Sequence, residues 1–267
     1  MNKCFVDLNL PDTLEYRSDN DHIPLEFYLS TFPLASKIDI HLGYFSSSAI
    51  QILSSVFAQF IYFGGKIRFI ISNVLSEDDK NNLMINQNVE NEKQVELILS
   101  NLLMISKEFE GGQHFFDCLR YLKKKGKLEI VSVLTKAKSI SHYKNILLFD
   151  KNENILYTEG SANFTASGII TNGESFNVSR SWGDEPERRR IEKAISRFDR
   201  IFSQTHEDYI YLNTEDIKNA IDEIGRDKNA EDLLIDSRRV LSQIIPYKVS
   251  QLLKESEESL ISIVEQL

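Results

Sequence analysis

The chain has 267 residues, of which 42% are hydrophobic and 27% charged. That balance belongs to an ordinary globular protein and excludes a disordered or fibrous one. Lys and Arg total 31 against 40 for Asp and Glu, a net charge of -9, so the chain is no polycationic nucleic-acid coat. An anionic partner has to meet a local basic patch. The two cysteines, Cys4 and Cys118, stand far apart and in no C-x-x-C pair, which argues against a disulfide scaffold and a zinc knuckle and favours a reducing cytoplasm. The most apolar stretch, 49–63, is interrupted by Gln51, Ser54, Ser55 and Gln59 and falls short of the roughly 20 residues that span a bilayer. It reads as a core helix, and no membrane association is expected.

In chain order, 37–45 reads as a strand and Ser46–Ser48 as N-cap hydroxyls for the helix that follows. Gly64-Gly65 stops that helix, and 66–72 is a second apolar strand. Strand, helix, strand is the pattern of a right-handed parallel crossover, so the expected frame is an α/β sheet flanked by helices. Ser76 and the acids after it start a helical pattern that lasts, with breaks, to Lys125. Residues 127–134 form a third strand, and 143–149 with 154–158 a hairpin turning at 150–153. A last strand over 174–180 precedes Asp184-Glu185-Pro186, an N-cap with proline in the first turn, and a helix to about Ser203. Beyond Thr214 the pattern is helical throughout, punctuated by Gly225 and Pro246. The expected organisation is one domain over 1–205 and a helical extension over 206–267 that serves dimerisation, docking or a junction to further chain.

Charge is unevenly spread. From Glu207 to Leu267 there are 14 acids and 7 bases, whereas Asp117 to Lys144 carries 8 bases and 2 acids. The basic segment leads into the residues with the most chemistry. His142 and Lys144 open a strand, where positions i and i+2 share a face, so imidazole and ammonium converge. Gly160-Ser161-Ala162-Asn163 follows the next strand, and Glu174 opens the one after. A neutral imidazole oriented by a carboxylate is a nucleophile or base. A fixed cation, a hydroxyl and an amide neutralise the non-bridging oxygens of a phosphodiester without any metal.

In these residues the sequence resembles the phospholipase D superfamily, whose signature is H-x-K followed by G-S-x-N and a downstream acid, and it is most similar to the single-motif, nuclease-like branch found in restriction and phage-defence systems. The resemblance implies a phospholipase D-like mixed sheet flanked by helices. It implies that His142 is the nucleophile forming a phosphohistidine, that Lys144 and Asn163 are the phosphate ligands, that Ser161 is the motif serine, and that Glu174 supports the histidine. The family's further Asp falls at Phe149 here, and Asp150, one position later, is placed to cap the hairpin turn. With one copy of the motif, the resemblance implies a homodimer that faces two His142 rings across a twofold axis. The implied activity is metal- and cofactor-independent cleavage of DNA or RNA by a cytoplasmic endonuclease in anti-phage defence or restriction, with a helicase or other defence subunit as a possible partner. The alternative is a catalytically inactive nucleic-acid-binding or assembly module of a helicase-nuclease complex. A lipid phosphodiesterase comes third for want of an apolar surface segment.

Two basic clusters are candidate nucleic-acid contacts. Lys123, Lys124 and Lys125 end a helix just before the motif, and Arg188, Arg189 and Arg190 open a helix that continues with Lys193, Arg197 and Arg200. Solvated helix ends and salt bridges to Glu187, Glu192 and Asp199 are the competing accounts. His41, on an apolar strand, reads as a hydrogen-bonded core histidine.

Overall fold

A computed structural model describes residues 3–17, 22–42, 56–72, 110–135, 144–160 and 175–244, together with residue 107. Its centre is an eight-stranded mixed sheet: β1 (Glu15–Arg17), β2 (Ala35–Leu42), β3 (Lys66–Ser72), β4 (Leu128–Thr135), β5 (Lys144–Asp150), β6 (Ile155–Gly160), β7 (Ser175–Arg180) and β8 (Tyr209–Leu212). They lie in the order β1-β7-β6-β5-β2-β3-β4-β8. The expected parallel crossover is present, with Lys37 opposite Lys66 and Leu42 opposite Ile71, and β4 continues the parallel set beside β3. The expected hairpin is β5–β6, and β5 also runs antiparallel to β2 at the centre of the sheet.

The hairpin turn is built on Asp150. Its carboxylate accepts from the backbone N–H groups of Asn152 and Asn154, at 2.8 and 2.9 Å, and from the Asn154 amide. The Phe5 N–H, 145 residues away, donates to the same side chain at 2.9 Å. The buried acid therefore caps its own turn and pins the N-terminal segment to it.

Helices cover both faces. One face buries Ile38, Ile40, Phe69, Ile146 and Leu148 beneath α1 (Pro24–Thr31), α2 (residues 56–62) and α3 (Glu110–Lys124). This larger core is rich in aromatic rings, with Phe57 stacked on Phe115 at 5.6 Å and edge-on to Phe69 at 6.3 Å. The other face carries Ile70, Val131, Val133, Leu147 and Tyr157 under Ile191, Phe198 and Ile201 of α4 (Glu185–Phe202). Asp184 is the N-cap of α4, accepting from the Glu187 N–H, with a proline in the first turn. No described helix is long and apolar enough to cross a membrane.

The chain beyond residue 205 is packed on the same body. β8 adds antiparallel to β4, Tyr209 opposite Thr135, and α5 (Glu215–Ile224) and α6 (Ala230–Ile244) lie against α3. Gly225 makes this docking close, since a Cβ there would sit 2.5 Å from the Phe116 carbonyl oxygen. Charge complementarity finishes the contact: acids of the tail meet bases of α3, Lys123 with Asp222 at 2.5 Å and Lys124 with Asp227 at 2.8 Å. In the reverse sense, the fully buried Asp117 of α3 accepts from the Arg226 guanidinium and the Arg226 N–H, both at 2.7 Å. Arg226→Ala leaves that carboxylate with only a backbone donor and Gln113. The expected cost is about 2 kcal/mol in a chemical denaturation curve, below the range for a wholly orphaned buried ion because those two donors stay.

Candidate functional site at one edge of the sheet

The strand register sets where the motif segments leave the sheet. Lys144 lies two residues beyond the pair Ile146–Thr158 on β5, and Gly160 two residues beyond it on β6. Lys144 is opposite Leu42, at the end of β2, and Gly160 is opposite Phe176, near the start of β7. The start of β5, the end of β6 and the start of β7 therefore meet at one edge, the same edge at which the parallel strands β2, β3 and β4 end. Crevices outside the carboxyl ends of parallel strands are where open α/β sheets bind ligands. His142, Ser161, Asn163 and Glu174 lie outside the described residues, as does the side chain of Lys144. Their flanking residues bring all three motif segments to adjacent strands at this edge.

Gly160, the first residue of G-S-x-N, is required by that packing. A Cβ there would collide with the Ser175 carbonyl oxygen and stand 2.6 Å from the Phe176 Cα, backbone atoms that cannot swing aside.

Beside this edge, on the α4 face, is a hollow of about 200 Å³ lined by His41, Asn145, Tyr157 and Glu159 from the sheet and by Arg190, Lys193 and Arg197 from α4. The alternation of β2 puts Asp39 and His41 on this face while Ile38 and Ile40 enter the larger core. Asp39 is buried and held by the Arg68 guanidinium in two bonds of 2.7 and 2.6 Å, with Lys37 at 3.2 Å. Arg68 also reaches Asp199 at 3.0 Å and lies 4.9 Å from the ring centres of Phe198 and Phe202. This cluster fastens the C-terminal half of α4 to the sheet.

His41 is both a core histidine and a wall of the hollow. Burial, with Arg197 nearby, pushes its pKa down to about 3, so the ring is neutral across the physiological range. The unfolded chain therefore takes up a proton that the folded one refuses. Stability from this group is full above the ordinary value of 6.5 and drains as the pH falls toward 3. At pH 5 the expected loss is about 2 kcal/mol relative to neutral pH, and denaturation curves for His41→Gln should lose this slope. A further loss sets in below the ordinary 4.5 of Glu187. Burial alone would raise that carboxyl, but hydrogen bonds from Arg180, the backbone N–H of residue 184 and the Arg180 charge hold it below its usual range. Tyr157 shares the hollow, its hydroxyl pushed up by burial and by Glu159.

The two basic clusters lie on helices that cover opposite faces of the sheet. Lys123 and Lys124 are engaged with the acidic tail, and Lys125 lies 5.7 Å from the Tyr121 ring centre. On α4, Arg188 donates to the Gly183 carbonyl and Arg189 pairs with Glu185 at 2.5 Å, while Arg190 donates to Ser179 and lines the hollow. Glu187 serves Arg180 and Asp199 serves Arg68, so neither acid neutralises this run. Asn145, Tyr157 and Glu159 were not singled out from the sequence. Their signal is a polar side chain every second residue at one end of otherwise apolar strands.

No protein-family model matches the chain, and no curated protein does. Among solved structures the chain is similar to NucT from Helicobacter pylori, with a TM-score of 0.38 and 15% identity over 70% of this chain and 90% of that one. It is similar to yeast tyrosyl-DNA phosphodiesterase, with a TM-score of 0.39 and 12% identity over 76% of this chain, spanning 42% of that enzyme's length. Polyphosphate kinase from Porphyromonas gingivalis is a further match, with a TM-score of 0.33 and 13% identity over 68% of this chain and 24% of that one.

Proposed function

We propose that this chain is a nucleic-acid phosphodiesterase of the phospholipase D type, acting through His142 without a metal ion. The observation that supports the reading is that Lys144, Gly160 and Ser175, which belong to or adjoin the H-x-K, G-S-x-N and Glu174 segments, stand at three neighbouring strand ends on the side of the sheet where the parallel strands end, the side on which open α/β sheets bind ligands. In the proposed reaction an imidazole nitrogen of His142 attacks phosphorus. The P–N bond forms as the P–O bond to the leaving strand breaks, and that oxygen takes a proton from a general acid. Water then attacks the phosphohistidine, the imidazole leaves, and the proton from water passes to the group that acted as acid. Glu174 fixes the tautomer of His142 by accepting from its other ring nitrogen. Lys144, Ser161 and Asn163 stabilise the charge on the non-bridging oxygens.

A single copy of the motif supplies no second histidine for the acid step. A homodimer with two His142 rings facing each other supplies it. Anti-phage or restriction work beside a helicase or other defence subunit is the setting that the family resemblance suggests.

The test is cleavage of single- and double-stranded DNA and RNA in excess EDTA. Retained cleavage, with an acid-labile phosphoryl group trapped on the chain, is the expected result. Cleavage that vanishes in EDTA and returns with magnesium would overturn the mechanism, and tight binding with no cleavage of any substrate would favour the assembly-module alternative.

A further inference from the structure

We propose that one flank of α4 is a track for the phosphate backbone of a single nucleic-acid strand, formed by Arg190, Lys193, Arg197 and Arg200. The inference rests on the nucleic-acid reading above and assigns the residues that hold the strand outside the reacting phosphodiester.

Spacing and position both support it. At 100° per residue the four side chains fall within about 80° of one another on the helix, along a flank about 15 Å long. The adjoining face, with Ile191, Phe198 and Ile201, is buried on the sheet, so the cations stand at the margin where helix meets sheet. That margin is concave. Arg190, Lys193 and Arg197 line the 200 Å³ hollow beside the motif edge. Lys193 and Arg197 pass directly into a second hollow of about 510 Å³, which Arg200, Ser196, His206, Glu192 and Asp208 complete. His206 precedes β8, whose Tyr209 is opposite Thr135 at the carboxyl end of β4. The track therefore runs along α4 and comes out at the edge where the motif segments gather.

Charge accounting favours an anion here. Among the described residues Lys193 and Arg200 enter no ion pair, and all four side chains belong to exposed residues. Of the acids on the same hollows Asp39 is spent on Arg68 and Lys37, and the other three, Glu192, Asp208 and Glu159, are fewer than the four cations. In a protein of net charge -9, four cations on one concave flank are a local exception of the kind an anionic polymer needs. A flank about 15 Å long is enough to meet several consecutive phosphates of one strand. The strand chemistry matches a phosphate contact and not base reading, since the rings nearby, Tyr157 and Phe198, are buried and offer no stacking platform.

The experiment titrates a fluorescein-labelled single-stranded DNA oligonucleotide onto the full chain over a range of salt. All chains carry His142→Ala so that the strand is not consumed. Lys193→Gln, Arg197→Gln and Arg200→Gln together are compared with a charge-matched control, Lys3→Gln, Lys151→Gln and Arg238→Gln. The expected result is at least about tenfold weaker binding and a salt slope shallower by roughly 2 for the track variant, from about 0.7 per lost phosphate contact, with the control unchanged. Equal affinity and slope for track variant and control overturns the track. Turnover of bis(p-nitrophenyl) phosphate by the wild-type chain reports the catalytic reading separately. Hydrolysis of this small diester with an unaltered oligonucleotide slope removes the track and leaves the catalysis, whereas no hydrolysis with a lost slope supports the track and removes the catalysis.

Discussion

His142→Ala is expected to lower phosphodiester cleavage by on the order of 10⁴-fold or more, the scale on which loss of a covalent nucleophile acts when the remaining groups have no substitute for it. Binding should change little, because the backbone of a strand is held mainly by cations elsewhere. The contrast between kcat and Kd is therefore the informative readout. Lys144→Gln should differ in kind by weakening both, since its ammonium attracts the ground-state phosphate as well as the transition state. A His142→Ala chain that still cleaves in EDTA would place the chemistry on other residues and end the proposed mechanism.

Arg68→Met should destabilise the described fold strongly, by about 3 kcal/mol or more in a denaturation curve. Methionine keeps an apolar stem against Phe198 and Phe202, so the loss isolates the charge. What remains is Asp39, 1% exposed, with only the half-exposed Lys37 to answer it. An uncompensated buried carboxylate is far costlier than the pair was worth, and Asp39→Asn in the same chain should therefore recover much of the stability. Arg68 also ties Asp199 to the sheet. The variant is accordingly expected to loosen the C-terminal half of α4, with faster amide exchange there than in α3.

The physical reasons for legibility differ from element to element. Strand β2 announced itself through the alternation of Ile38 and Ile40 with Lys37, Asp39 and His41, β3 through its apolar run at 69–71, and Gly64-Gly65 marked the end of the helix between them. The start of α4 was equally plain, since Asp184 and the proline after it satisfy local rules that need no tertiary partner. Asp150 was readable for the same reason: an Asx-type turn is made within five residues, and the structure adds only the Phe5 donor. Strand β1, three residues long, carried no periodicity to read, and α1 covers only eight residues. Their stability comes from Tyr16, Phe27 and Phe176 packed together, rings far apart in sequence. Strand β8 fell in a segment read as the start of a separate extension, and what makes it a strand is the free edge of β4.

The sequence by itself determined the mixed α/β frame, the hairpin, the capped helix and the chemical inventory of the H-x-K and G-S-x-N segments, because each depends on residues within a few positions of one another. Only the tertiary structure decided that the motif segments reach one edge, that the tail's acids spend their charge on Lys123 and Lys124, and that a flank of α4 and not its first turn faces the hollow. Those outcomes hang on strand register and on which face of a helix is buried. Both are fixed by contacts between residues tens to a hundred positions apart, which no local pattern encodes.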